Sequence, residues 1–350
     1  MTLSNQLGMT CPIVQAPMAG GATTPELIAA VSNTGGLGSL GAGMTTPEVL
    51  TEQIDTIKAL TDRAFAVNLM VLTEAEWTTL DAPIPEWLAA YYADNALEIA
   101  LPEKPAQSFA DQFQVLLDNP VPVASFTFGI ISREQVNALH KVGTKVIGTA
   151  NHPLEAQAWA EIGADAVCVQ GVEAGGHRGG WLALSEADPL GLLTLLDQTK
   201  RVTNIPLIAA GGIMTATAIT AAQIAGAEMV QMGTAFLTTH ESGISAAYKD
   251  TLLKVANGDR VATTRLTRLF SGKPARALDN DYLRTYQAFD NQDTLPPYPQ
   301  LNAMTRTMRA TAGKQGDVEH LSMWAGQGVS LVRSESVAEL MARLTSELAD

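Results

Sequence analysis

Cysteine is scarce: the chain has two, Cys11 and Cys168, in 350 residues. Each lies beside or inside an apolar run, CPIVQ and AVCVQ, where a thiol packs as a small hydrophobe. A disulfide is not expected, which fits a reducing cytoplasm. No Cys/His spacing reads as a zinc site, so no metal is expected. No run of 18 apolar residues occurs, so no membrane span is expected. Met1 to Thr10 lack a basic stretch followed by an apolar one, so no secretory signal is expected. Positive charge is also short: 22 Lys and Arg stand against 36 Asp and Glu, a net charge of −14. Such a surface repels nucleic acid and anionic lipid, and an anionic substrate would need a local basic patch.

What the chain has in quantity is apolar residues, 46% of the total, enough for a large core. Its length suits one barrel with insertions. Eight short apolar runs read as strands: Ile13–Ala16, Gly38–Leu40, Phe65–Met70, Val121–Phe126, Lys145–Thr149, Ala166–Gln170, Pro206–Ala210 and Met229–Gly233. Several are continuously apolar and β-branched, as strands buried on both faces are. Helical patterns separate them. Thr24-Pro25-Glu26 and Thr46-Pro47-Glu48 are start signals, with Thr as cap and Pro at the first helical position. His152-Pro153 opens another helix that ends near Gly163, and Thr217 to Ala225 a further one. Eight alternating units predict an α/β fold, a (β/α)₈ TIM barrel, with a doubly wound open sheet as the alternative.

Two stretches break the rhythm. Residues 73–118, with Trp77, Trp87, Tyr91 and Tyr92, exceed an ordinary connection. From about 241 the βα pattern stops. The division expected is therefore a barrel of 1–72, 119–240 and 320–350 beneath a smaller, mostly helical substrate-binding cap of 73–118 and 241–319. Ser336 to Leu348 is read as a final amphipathic helix packed back on the barrel.

Barrel active sites lie at the C-terminal ends of the strands. That rule selects Met18 after the first strand, Asn68 in the third, and the loop from Gln170 through Gly180 after the sixth. It also selects Gly211 and Gly212 after the seventh, and Gln231, Met232, Gly233 and Thr234 at the eighth. The last two groups suit a phosphate, because glycine lets backbone N–H groups approach an anion and Thr234 adds a hydroxyl. Tight βα turns need glycine too. In the Gly175–Gly180 loop four glycines surround His177 and Arg178, an arrangement suited to backbone lying against a flat ligand with an imidazole above it. A turn histidine bonded to a carbonyl is the plainer alternative. Asn68 and Gln170 offer amides to a heterocycle edge, or to neighbouring backbone. Gly35-Gly36-Leu37-Gly38 follows a helix and opens a strand, the reverse of a dinucleotide fingerprint, so a Rossmann domain is disfavoured.

These residues resemble the FMN-dependent nitronate monooxygenases. The likeness spans nearly the whole chain: PIVQAPMAGG (12–21), SNTGGLGSLGAG (32–43), FAVNLMV (65–71), VQGVEAGGHRGG (169–180), IPLIAAGGI (205–213), EMVQMGTAFL (228–237), TRLFSGKPARAL (267–278), YPQLN (298–302) and WAGQG (324–328). The resemblance implies FMN held by Asn68, Gln170, Gly175, Gly212 and Gln231 to Thr234, with Met18 beside its ring system. It implies His177 as the catalytic residue, with Gly175 and Gly176 leaving room for substrate. It implies oxidation of alkyl nitronates, propionate-3-nitronate among them, by O₂ to a carbonyl compound and nitrite. Where some relatives carry histidine, this chain has Thr127, which puts substrate preference in question. A homodimer is allowed for. The rival readings are an FMN-dependent enoyl-thioester reductase, an NAD(P)H:quinone reductase and a non-catalytic flavin-binding protein. The tail 258–350 matches the monooxygenases better. A catalytic-cysteine dehydrogenase is disfavoured, because Cys168 lies inside its strand rather than in the loop after it.

Overall fold

The computed structural model describes residues 2–349. Its strands are β1 (Ile13–Gln15), β2 (Gly38–Gly41), β3 (Phe65–Met70), β4 (Val123–Thr127), β5 (Lys145–Ala150), β6 (Ala166–Gln170), β7 (Gly176–His177), β8 (Leu207–Ala210), β9 (Met229–Met232), β10 (Thr264–Thr267) and β11 (Ala275–Leu278). Eight of them form one parallel sheet in the order β1-β9-β8-β6-β5-β4-β3-β2. A parallel bridge between Val14 and Leu37 brings its two ends together, which excludes the open sheet. Gln15 N–H donates to Leu37 O at 2.9 Å and Leu37 N–H to Ile13 O at 3.0 Å. The chain is thus a (β/α)₈ barrel. β4 starts two residues later than its apolar run, because Pro122 has no N–H for a ladder.

The helix starts form as their residues dictate. Thr24 Oγ1 accepts from Leu27 N–H at 3.0 Å, and Pro25 leads the helix Pro25–Asn33. Thr46 does the same for the helix Pro47–Leu60. His152 caps Pro153–Ile162 through Nδ1, which accepts from Leu154 N–H at 3.2 Å. The helix expected from Thr217 begins at Ala216, capped by Thr215.

Three apolar clusters hold the structure. The barrel interior contains Val14, Ala66, Val123, Ile147, Cys168 and Ile208, with Leu3 and Met9 from the N-terminal segment. The layer between strands and helices is the largest, and Cys11 belongs to it. The third joins Leu88, Tyr91 and Tyr92 from the first insertion to Phe270, Tyr282, Leu301 and Met308 from the tail. Two helices expected in the cap pack on the barrel layer instead. Phe109–Asp118 contributes Phe109, Phe113 and Leu116 to it, and Ala246–Ala256 contributes Tyr248, Leu252 and Val255. Among the described residues, no helix is long and apolar enough to cross a membrane.

Candidate active site

The barrel brings the expected residues to one rim. Gly41 is in register with Asn68, and Ala42 N–H donates to Asn68 O at 3.0 Å. A Cβ on Gly233 would lie 3.4 Å from Ala16 Cβ and 3.7 Å from Met18 Sδ. Gln231 is in register with Val14 on one side and Ala210 on the other. Met232 faces the layer between strands and helices with its side chain, so only its backbone is available at the rim. Thr234 Oγ1 accepts from Gly326 N–H at 3.0 Å. That contact brings in a segment whose local role the spacing alone did not suggest. Residues 324–328 run across the rim, Gln327 N–H donating to Glu173 O at 3.0 Å. Gly175 lies so close beneath that a Cβ there would sit 2.5 Å from Gly326 N.

Gly211 (φ +124°) and Gly212 (φ +68°) occupy backbone conformations that L side chains rarely adopt. The N–H groups of Gly211, Gly212, Gly233 and Thr234 donate to no backbone carbonyl among the described residues. Two neighbouring strand ends therefore present free donors side by side, the requirement for holding an anion.

His177 stands on β7, which pairs with β11 through Ala275 and Arg276, in a second sheet ordered β10-β11-β7. Three rings wall the imidazole: Phe128 at 5.6 Å between centroids, Tyr298 at 5.7 Å and Trp324 at 5.2 Å. Nε2 lies 2.8 Å from Ser271 Oγ. Burial, then the nearby cations Lys273 and Arg309, push the imidazole pKa down from 6.5 to about 3, so the ring is neutral at pH 7. Lys273 Nζ donates to Gly180 O at 3.0 Å and sits 5.1 Å from the Phe128 ring centroid. Arg309 is held by Asn302 and Thr305 through Nη2 and Nε, which leaves Nη1 uncommitted. Burial depresses both cations. Beyond Phe128 and Tyr298 opens a cavity of about 360 Å³, also lined by Glu76, Glu186, Arg268 and Lys273.

The polar strand ends divide in role. Asn68 Nδ2 donates to Ser125 Oγ at 2.9 Å, and its Oδ1 has no partner among the described residues. Gln170 is bound more tightly into the protein. Its Oε1 accepts from Asn151 Nδ2 at 2.8 Å and Gly179 N–H at 2.9 Å, and its Nε2 donates to His177 O at 3.1 Å. One N–H remains for a ligand. Thr127 Oγ1 also braces the loop, donating to Gly179 O at 3.2 Å.

Arg178 faces neither solvent nor a carboxylate. It is 2% exposed, and its Nη1 and Nη2 donate to the carbonyls of Gly171 and Gln170. Burial, then Arg276, lowers its pKa to about 10, so it stays charged. Glu155 is wholly buried. One of its oxygens accepts from Trp181 and Leu182 N–H at 2.7 and 2.8 Å, the other from Asn151 and His152 N–H at 2.6 and 3.2 Å. Glu173 accepts from Leu192 N–H, at the start of the helix Leu192–Thr199. The glycine loop is thus clamped from behind by charged groups that spacing alone did not reveal.

The nitronate monooxygenase family model matches residues 2–347. A probable nitronate monooxygenase of Staphylococcus haemolyticus (strain JCSC1435) is 40% identical over 350 residues, covering 99% of this chain and 96% of its own length. One from Bacillus subtilis (strain 168) is 39% identical over 344 residues, with 98% and 97% covered. Among solved structures, nitroalkane oxidase from Streptomyces ansochromogenes matches with a TM-score of 0.88 at 38% identity, covering 99% of this chain and 97% of that one. FabK from Thermotoga maritima matches with a TM-score of 0.76 at 29% identity, covering 99% and 95%.

Proposed function

The chain belongs to the nitronate monooxygenase family of oxidoreductases, and from that premise we propose that it uses FMN and O₂ to oxidise alkyl nitronates to a carbonyl compound and nitrite. The observation that carries this reading is the charge around His177. The charged groups acting on the ring are the ammonium of Lys273 and the guanidinium of Arg309, both positive. A desolvated pocket with two cations and a neutral imidazole attracts an anion. A nitronate is one. Arg309 Nη1 and Lys273 together also suit a substrate with a second anionic group, and propionate-3-nitronate is of that kind.

The residues at the rim fit FMN. Free N–H groups of Gly211, Gly212, Gly233 and Thr234 would take its phosphate, and Asn68 Oδ1 and the spare N–H of Gln170 its ring edge. A Cβ at Gly175 would strike the 324–328 segment, so only glycine leaves that surface flat. When bound, FMN supplies the electron acceptor that the side chains lack. The protein's own part is to bind and orient. Lys273 and Arg309 offset the cost of desolvating the nitronate. Tyr298, whose phenol burial holds above its usual range, keeps its proton and donates it to Met70 Sδ at 3.0 Å. Phe128, Tyr298 and Trp324 line the imidazole on three sides and narrow its access to water.

The test is oxygen uptake by the FMN-loaded protein with a nitronate, the parent nitroalkane and NADH, compared side by side. Nitronate-dependent uptake is expected, reduced in His177→Asn. Fast anaerobic bleaching of the flavin by NADH, with no nitronate turnover, would instead indicate a reductase.

A further inference from the structure

We propose that Ser271 is a positioning residue that fixes the tautomer of His177, keeping the proton on Nε2 and turning the Nδ1 lone pair into a base. The argument is a count of hydrogens. Ser271 is 1% exposed and closes a tight turn in which its N–H donates to Arg268 O at 3.1 Å. Its Oγ lies 2.8 Å from His177 Nε2 and 3.1 Å from Lys273 O, and Lys273 N–H points at it from 3.4 Å. A hydroxyl has one hydrogen and two lone pairs. Lys273 O accepts from no other donor among the described residues. Sending the hydroxyl hydrogen to Lys273 O leaves both lone pairs free, one for Lys273 N–H and one for Nε2–H. All three contacts at the hydroxyl are then satisfied. The reverse assignment, Oγ–H to Nε2, leaves Lys273 O without a protein donor among the described residues and moves the ring proton to Nδ1. Among the described residues no carboxylate bonds this ring, in contrast to a Ser-His-Asp triad. The task falls to one neutral hydroxyl and the aromatic walls.

The consequence rests on the nitronate reading. A nitronate has already lost its α-proton and needs no base. A neutral nitroalkane must break its α C–H bond. The proton goes to Nδ1, and the bonding pair moves into the nitro group, giving the nitronate and an imidazolium that keeps Nε2–H on Ser271. The tautomer therefore matters for one substrate and not the other.

The experiment uses FMN-loaded enzyme, wild type and Ser271→Ala, with Ser271→Thr as the variant that keeps the hydroxyl. Ser271→Ala is expected to slow nitroalkane oxidation by roughly 10- to 100-fold while nitronate oxidation stays within about threefold, and Ser271→Thr to recover most of the loss. In parallel, ¹⁵N spectra of histidine-labelled protein, which has five histidines, report the ring tautomer directly. His177 is expected to show a protonated Nε2 in the wild type and a mixture in Ser271→Ala. A wild-type signal from protonated Nδ1 overturns the assignment. Equal losses for both substrates reduce Ser271 to a structural residue, and turnover of nitronate but not nitroalkane by the wild type removes the base role. If neither substrate is consumed while the Nε2–H signal is present, the nitronate reading fails and the tautomer assignment stands.

Discussion

Acidification should destabilise this protein through His177 in a window that opens near pH 6.5, before most carboxylates begin to titrate. In the unfolded chain the imidazole takes up a proton below pH 6.5; in the folded protein it resists until about pH 3. Between those values the unfolded state binds more protons, so folding stability falls as pH falls, by about 1.4 kcal/mol per unit. From pH 7.5 to 5.0 the loss attributable to this one residue is about 2 kcal/mol. Other groups titrate as well, so the measurement must isolate His177. Urea unfolding of wild type and His177→Gln, both saturated with FMN, at pH 7.5 and 5.0 does so, because the remaining groups are common to both. On acidification the wild type should lose about 2 kcal/mol relative to the variant. A bound anion would oppose the effect by favouring the imidazolium, so an unreactive anionic substrate analogue should shrink it. A wild-type-minus-variant difference that does not change with pH would mean that the imidazole is not desolvated among cations, and the electrostatic case for an anionic substrate would fall with it.

Three further perturbations separate the parts of the site. Lys273→Met removes an ammonium beside the proposed substrate pocket; KM for nitronate should rise roughly tenfold with kcat changed less, and the His177 pKa should move up in an NMR titration. Gly175→Ala places a Cβ 2.5 Å from Gly326 N and 2.6 Å from Ala325 C, both backbone atoms, so the 324–328 segment must shift. The purified variant should retain less flavin by fluorescence, whereas Gly233→Ala, with its nearest contacts at 3.4 and 3.7 Å, should lose less. Glu155→Gln replaces an oxygen that accepts backbone N–H groups by an amide nitrogen that cannot; stability should drop by about 3 kcal/mol, read as a lowered Tm.

The strands were legible because strands buried on both faces have a simple signature. The runs at Phe65–Met70 and Ala166–Gln170 match β3 and β6 residue for residue. The Thr-Pro-Glu starts were legible because cap, first turn and proline act within four residues. Packing partners were not. Phe109–Asp118 has helical spacing, yet spacing does not say whether Phe109 and Phe113 face the barrel or a cap. The imidazole could be singled out by its glycines. Its partners could not, since Ser271 lies 94 residues away in a stretch with no βα rhythm. Lys273 and Arg309 come from the same stretch, and their meeting at His177 is a property of β11 and the tail helices. Glu155 stood inside a recognised helix start, but that it also receives Trp181 and Leu182 N–H depends on β5 and β6 lying side by side.

The distribution of charge reconciles a net charge of −14 with the anionic substrate proposed. At physiological salt the field of surface carboxylates decays over roughly 8 Å, so what counts at the reacting atoms is the sign of the nearest buried groups. The carboxylates behind the loop, Glu155 and Glu173, are turned onto backbone N–H groups. Arg178, buried with them, is turned onto the carbonyls at the end of β6. Each of these groups faces polypeptide rather than the imidazole. The cations that do act on His177 differ: Lys273 pairs with Glu186 at 3.8 Å and also feels Glu155 and Glu76, whereas Arg309 has no carboxylate bonded to it among the described residues. A buried guanidinium such as Arg309, with no carboxylate close by, is unfavourable until an anion arrives. That uncompensated guanidinium, with three aromatic rings around the imidazole it acts on, is what the proposed anionic substrate would meet.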